Sequence, residues 1–418
     1  CQDVASLLPS VSGRITTEMS DGVNNIEVEL TNMTSALNKT EMTNNDGQYK
    51  FDGIDVFDPK TIEARNEADL LNGVSTLDLV MMQRHILGLQ SIASPYKLLA
   101  ADVNNSKSIT ASDLVDLRKV ILGMSTSFVN NTSWRFVPSD FVFQDPTYPF
   151  DFPSMINLDS LFEDKTNVNF IGVKVGDVNN SVEANLNSSS TENRSANALF
   201  VTDLIEFEGG AHVKVDVKAA ELMDIMGTQF GLGFDADQLV FQQVKSGKLN
   251  VHDYNINTNL AADGKLYFSI DIPNGVSLSP DDVLMTIEFK SKAKGNTAFM
   301  STSNDNFDSE VYELDGTVKS LNILARSNAS GPQNELFQNQ PNPFKDFTNI
   351  SFELAEAANT SIKVMDVTGK VVYTHVSNYE KGYHTLTLSN AHFTGKGVYY
   401  YQINAGEFTA TKKMILIE

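Results

Sequence analysis

Cysteine is almost missing from the 418 residues: the single one, Cys1, stands at the first position. No disulfide, thiolate zinc site or cysteine redox pair can therefore form within the chain. Cations are scarce too, with 31 Lys and Arg against 53 Asp and Glu and a net charge of −22. A surface of that sign excludes phosphate-backbone binding, which needs basic groups to release counterions, and it argues against an anionic membrane partner. No apolar run approaches the roughly 20 residues of a spanning helix, so no membrane span is expected. Nor does the sequence hold a recognisable catalytic constellation. Its histidines (His85, His212, His252, His375, His384 and His392) are dispersed, and there is no His-x-x-x-His pair, nucleophile elbow, P-loop or dinucleotide fingerprint. Acid pairs such as Asp281-Asp282 read as solvated turns rather than glycosidase acids. The expectation is that this is not an enzyme.

What is present is ample core material, 41% hydrophobic with 9% aromatic, and at about 100–200 residues per domain the length predicts two to four domains. The missing initiator methionine and the position of Cys1 lead us to expect a start within a longer protein. Cys1 is expected to pair with an upstream cysteine or to carry a lipid.

Alternation of apolar and polar residues predicts strands at Val11–Ile15 and Ile26–Leu30, then a turn at Asn45-Asp46-Gly47 leading into a strand through Phe51, and a closing strand from Lys60. The period then changes. Ser75–Leu89 and Thr110–Met124 both carry apolar residues at helical spacing and both reach Ile-Leu-Gly, with glycine at the C-cap. They are two copies of one loop-helix unit. Residues 125–180 are poorly periodic and carry Pro138, Pro146, Pro149 and Pro153, and residues 182–197 and 326–335 read as linkers. Short alternating strands return at His212–Val217, Phe230–Phe234, Leu239–Val244, Lys265–Ile272 and Val283–Lys290, predicting a β-sandwich. From 336 onward the chain again reads as all-β, with a meander favoured by the turns at Val367–Lys370 and Asn404–Glu407. The predicted fold class is mainly β, sandwich modules in series with one small helical module.

The sharpest ligand signal is the segment 102–113. Asp102, Asn104, Ser106, Thr110 and Asp113 fall at loop positions 1, 3, 5, 9 and 12, and the Ser108 carbonyl falls at position 7. That is the spacing by which a 12-residue loop wraps a hard cation, and calcium is the expected cofactor. Lys107 stands where such loops want glycine, which predicts a weakened site, with a dissociation constant of roughly 10⁻⁵ to 10⁻³ M. The first copy is degenerate, leaving Asp69, Asn72 and Asp78 as candidates in an unsettled register. Asp177-Val178-Asn179-Asn180-Ser181 repeats the opening phrase of the second loop with no helix behind it. It either folds back, through Asp177 and Asn179, to complete the first site or is a plain Asx-turn.

These motifs carry four resemblances. Residues 1–66 are similar to the carboxypeptidase-regulatory, transthyretin-like sandwiches that act as spacers. Residues 67–181 resemble the dockerin family through Asp78-Leu79 with Arg84 and Asp113-Leu114 with Arg118-Lys119. That resemblance implies two calcium loops and a helix face, near these basic residues, that meets a cohesin. Residues 198–325 are similar to a cohesin sandwich through Gly227–Phe230 and Phe234-Asp235. Residues 336–418 resemble the type A sorting domain of the type IX secretion system, through Pro341-Asn342-Pro343-Phe344, Met365–Lys370 and Lys412–Leu416. This last resemblance implies recognition by the secretion machinery and delivery to the cell surface or the medium of a member of the Bacteroidota. Taken together they predict a non-catalytic structural or adhesive surface scaffold stiffened by calcium. Two alternatives stay open: the chain is the export and anchoring tail of a polysaccharide-acting enzyme upstream of Cys1, or it self-assembles head to tail through dockerin-cohesin contacts with Arg118 on an exposed face.

Overall fold

Near the N-terminus the alternating segments become strands β1 (Val11–Thr16), β2 (Glu27–Asn32), β3 (Asn38–Met42), β4 (Gln48–Phe51) and β5 (Lys60–Arg65). The computed structural model describes residues 8–32, 38–185, 197–297, 301–302, 307–326, 334–339, 342–345, 347–393 and 395–417. Cys1 and most of the two linkers lie outside the described residues.

The N-terminal sandwich is not complete at residue 66. Its sheets run β4-β1-β8-β6 and β3-β2-β5-β7, using β6 (Trp134–Pro138), β7 (Met155–Leu158) and β8 (Phe170–Lys174) from the stretch expected to be a proline-rich loop. β8 lies parallel to β1, pairing Ile15 with Phe170, and β7 pairs with β5. The helical repeats are thus an insertion between β5 and β6, and the expected boundary at 66 gives way to a discontinuous domain. These strands escaped the sequence because β6 and β8 are buried almost along their whole length and show no period of two. Trp134 stacks on Phe136 inside this core. A fragment ending at residue 66 lacks the cover that Phe170, Phe136 and Leu158 give Ile15, Phe51 and Ile62. We expect it to show no cooperative thermal transition by circular dichroism; a sharp melt would contradict this topology.

The insertion holds α1 (Thr76–Ile86), α2 (Pro95–Ala101) and α3 (Ala111–Ile121). Ser75 and Thr110 cap α1 and α3, each in a capping box with the aspartate three residues on, Asp78 or Asp113. Both helices stop at a glycine in the left-handed region, Gly88 (φ 68°) and Gly123 (φ 66°), where a side chain would be strained. Between them Leu79, Met82, Leu114 and Leu117 pack with Val103 and Val178.

A second sandwich follows, with β9 (Asn197–Asp203), β10 (Glu206–Phe207), β11 (His212–Ala219), β12 (Met223–Gly233), β13 (Leu239–Ser246), β14 (Ile256–Asn257), β15 (Lys265–Leu278), β16 (Val283–Ser291), β17 (Gly295–Asn296), β18 (Ser301–Thr302), β19 (Glu310–Glu313) and β20 (Val318–Arg326). Its principal sheet is ordered β13-β16-β11-β9-β20-β19-β12-β15-β14 and closes over Phe200, Phe230, Phe268 and Phe289.

Residues 326–418 form a separate unit of β21 (Glu335–Leu336), β22 (Phe347–Leu354), β23 (Ala358–Asp366), β24 (Val371–Tyr379), β25 (Gly382–Ser389), β26 (Gly397–Ala405) and β27 (Phe408–Leu416). Hairpins through Gly369 and Gly406 join β23 to β24 and β26 to β27, as the turn residues predict. The whole is not a meander. β22 and β25 pair in one sheet, whereas β24-β23-β26-β27 make the other, so the chain changes sheets to bury Phe352, Val364 and Tyr401 between them.

Candidate cation loops and docking face

In the 102–113 loop, Asp102 Oδ1 accepts from the Ser106 N–H at 2.8 Å, and Asp102 Oδ2 from that of Lys107 at 3.1 Å. Asn104 Oδ1 also accepts from the Ser106 N–H. Asp113 closes the ring, with Oδ1 on the Asn104 N–H (3.1 Å) and Oδ2 on the Thr110 N–H (2.8 Å). Thr110 acts as the helix cap, Ser108 Oγ bonds to Ser106 Oγ, and the Ser108 carbonyl accepts from Ser106 Oγ. Lys107 adopts the conformation a glycine would take (φ 64°), so the loop keeps its shape at a strain of about 1–2 kcal/mol.

The same pattern recurs in two pieces of chain. Asp177 Oδ1 accepts from Ser181 N–H and Oδ2 from Val182 N–H, while Asn179 Oδ1 accepts from Ser181 N–H. Ser181 Oγ donates to the Gly73 carbonyl at 3.0 Å, matching Ser106 on Ser108. Asp78 then takes the place of Asp113: Oδ2 accepts from Ser75 N–H, and Oδ1 from Val178 N–H (2.8 Å) and Asn179 N–H (3.2 Å). The phrase at 177–181 therefore folds back onto the first helix start and builds a split loop with residues 73–78. Asn72 stands beside it, its amide paired both ways with the Glu183 backbone, and Asp69 is exposed near Lys174 rather than at the carboxylates. Ser181 and the Gly73 carbonyl are the groups the sequence reading missed. Alignment of 177–181 with 102–106 carried the signal for Ser181.

Burial makes both loops electrostatically costly when empty of counter-charge. Asp78 and Asp177 are 0% and 4% exposed. Burial, with the like charge of Asp177, pushes Asp78 up to about 8, and burial raises Asp177. Asp102 is raised by burial as well, against the lowering effect of its Ser106 and Lys107 N–H bonds and of Arg135, whose guanidinium lies 3.6 Å from Oδ2. Beneath the split loop Lys174 is buried, which lowers it to about 8, and its ammonium donates to the Leu70 carbonyl and Ser133 Oγ. Paired buried carboxylates surrounded by amide, hydroxyl and carbonyl oxygens are a donor set that fits a hard divalent cation. Among the described residues no group of three or more His, Cys, Asp or Glu is placed to hold a metal, so such a cation would need these neutral oxygens.

The helical insertion is also docked on the second sandwich of its own chain. Thr76 N–H donates to Gln229 Oε1 (2.8 Å), and Thr76 Oγ1 lies 2.7 Å from Ser269 Oγ. Leu77 and Val80 pack on Met226 and Tyr312. Val80 comes so close to Gly227 that a Cβ there would sit 3.2 Å from Val80 Cγ2. At the other end of the face, Arg118 pairs with Asp271 and lies over the Tyr254 ring, and Asn257 Nδ2 donates to the Leu122 carbonyl that ends α3. Arg118 is 6% exposed, so the expectation of an exposed Arg118 is corrected: the second sandwich covers it.

Residues 72–122 match the family model of the dockerin type I domain, and residues 340–418 that of the secretion system C-terminal sorting domain. The solved structures that resemble the chain include the seventh ScaB type I cohesin from Pseudobacteroides cellulosolvens, at 21% identity over 32% of this chain and 95% of that one, TM-score 0.24. A non-cellulosomal cohesin from the hyperthermophilic archaeon Archaeoglobus fulgidus gives 17% over 32% and 93%, TM-score 0.23. PorZ, a surface component of the type IX secretion system of Porphyromonas gingivalis, gives 21% over 28% and 16%, TM-score 0.16. No curated protein matches the chain. The sorting domain marks the chain for export to the cell surface or the extracellular space, and no helix of the described residues is long and apolar enough to cross a membrane.

Proposed function

We propose that this exported chain, with its dockerin and sorting domains, is a non-catalytic surface scaffold that spends its dockerin-cohesin pair internally. The observation carrying the reading is the covered face: Arg118 is buried against Asp271 of the same chain, and Thr76 is bonded to Gln229 and Ser269. A helix face occupied in this way is not free to recruit the next molecule, which disfavours the head-to-tail filament. Calcium is the cofactor the two loops would hold, through Asp102, Asn104, Ser106, the Ser108 carbonyl and Asp113 in one. Asp177, Asn179, Ser181, the Gly73 carbonyl and Asp78 would hold it in the other. Bound there, calcium neutralises the paired carboxylates, so that its binding free energy adds to folding free energy. The protein's own contribution is positional. Asn24 bonds to the Ala184 carbonyl and to Asn185, so the segment that completes the split loop is also pinned to the N-terminal sandwich. One stretch of chain thus ties the helical insertion to the N-terminal sandwich.

Sedimentation velocity on the full chain, joined to calorimetric calcium titration, tests this. We expect a monomer with and without calcium and two calcium ions per chain. A calcium-dependent ladder of oligomers would replace the internal pairing with assembly between copies.

A further inference from the structure

The two loops are built alike but stand differently toward the second sandwich. In the split loop, Asp78 fixes the first turn of α1 by accepting from Ser75 N–H, and the same carboxylate grips 178 and 179. Thr76 lies inside that turn, and both its bonds go to the sandwich, to Gln229 and Ser269, which are buried. At the corresponding place on α3, Ala111 and Ser112 are exposed. The polar contacts of α3 with the sandwich lie further along, at Arg118 and Leu122, and Arg118 is about 7 Å of helix beyond Asp113.

We infer that cation binding in the split loop and docking of α1 on the second sandwich form one coupled equilibrium, with the 102–113 loop standing outside it. The inference rests on the calcium reading above and deepens it by giving the two sites unequal roles. If the split loop opens, the turn 75–78 loses its attachment to 177–179 and Thr76 loses its aim. Gln229 and Ser269 are then left without their bonds to Thr76. Opening the 102–113 loop disturbs a helix start whose first residues, Ala111 and Ser112, are exposed. Coupling is reciprocal, so undocking must weaken the cation at the split loop by the same factor.

Calcium is titrated calorimetrically into the full chain, with Asp113→Ala leaving only the split loop and Asp177→Ala leaving only the other. Each is then combined with Gln229→Ala and Asp271→Ala, which loosen docking from the sandwich side. The expected result is an affinity loss of about 5–150-fold at the split loop and less than about 2-fold at the other. Equal losses, or none, would overturn the inference while leaving calcium binding intact. A parent chain that takes up no calcium would overturn the calcium reading itself. An independent readout is hydrogen exchange at the Thr76 amide in saturating calcium. Asp177→Ala should speed it about 10-fold or more and Asp113→Ala should leave it unchanged, whereas equal acceleration by both sinks the proposal.

Discussion

Asp271→Ala should cost the residue 1–325 unit about 3–5 kcal/mol, because it leaves the buried Arg118 guanidinium without its counter-charge. Arg118 has little else to turn to there: its Nε has no hydrogen-bond partner, and its remaining stabilising contact is the Tyr254 ring at 5.0 Å. The loss should fall on docking rather than on either core, since the pair joins two modules that each have their own hydrophobic cluster. A denaturant titration of the variant is therefore expected to separate one unfolding transition into two. The double replacement Arg118→Met with Asp271→Leu removes both charges, and it should recover most of the loss. If the single variant melts like the parent, the helical insertion is not held by this pair.

Chelation is the second large effect. At free calcium about 100-fold above the dissociation constant, each site adds about 2.7 kcal/mol, so two sites together contribute about 5 kcal/mol. The size of this loss should depend on pH in a definite direction. In the folded chain Asp78 holds its proton up to about 8, whereas unfolding returns it to 3.8. Between those values the folded state binds more protons than the unfolded one, so without calcium stability falls as pH rises. Asp177 and Asp102, both raised, act in the same sense. Calcium bound at these carboxylates would take over the proton's role, so its stabilising effect is expected to be largest near pH 8 and small near pH 4–5. Thermal melts with and without chelator at the two pH values check this, and a pH-independent calcium effect would contradict the buried carboxylate pair.

The two loops differ in how far they could be read. The contiguous one, 102–113, is legible because a 12-residue loop writes its ligands at fixed spacing, and the backbone bonds of Asp102 and Asp113 follow that spacing. The split one is only half legible. Asp78 and Asp177 are separated by two further helices and three strands, and no periodicity links residues so distant. Asn72, close to Asp78 in sequence, instead ends at the Glu183 backbone.

Local chemistry in the sequence determined the capped helix starts at Ser75 and Thr110, their glycine stops, the amphipathic strands, and the calcium-type spacing of 102–113. Each of these depends on residues within a turn or a strand of one another. Tertiary structure alone decided that Phe170 closes the sandwich begun by Ile15, that Asp177 faces Asp78, and that Arg118 is buried against Asp271 rather than offered to solvent. Those outcomes rest on burial of surfaces brought together from far along the chain. Many pairings would satisfy the same local patterns, and the one adopted is the one that covers Ile15, supplies each buried carboxylate with backbone N–H groups, and gives Arg118 a counter-charge.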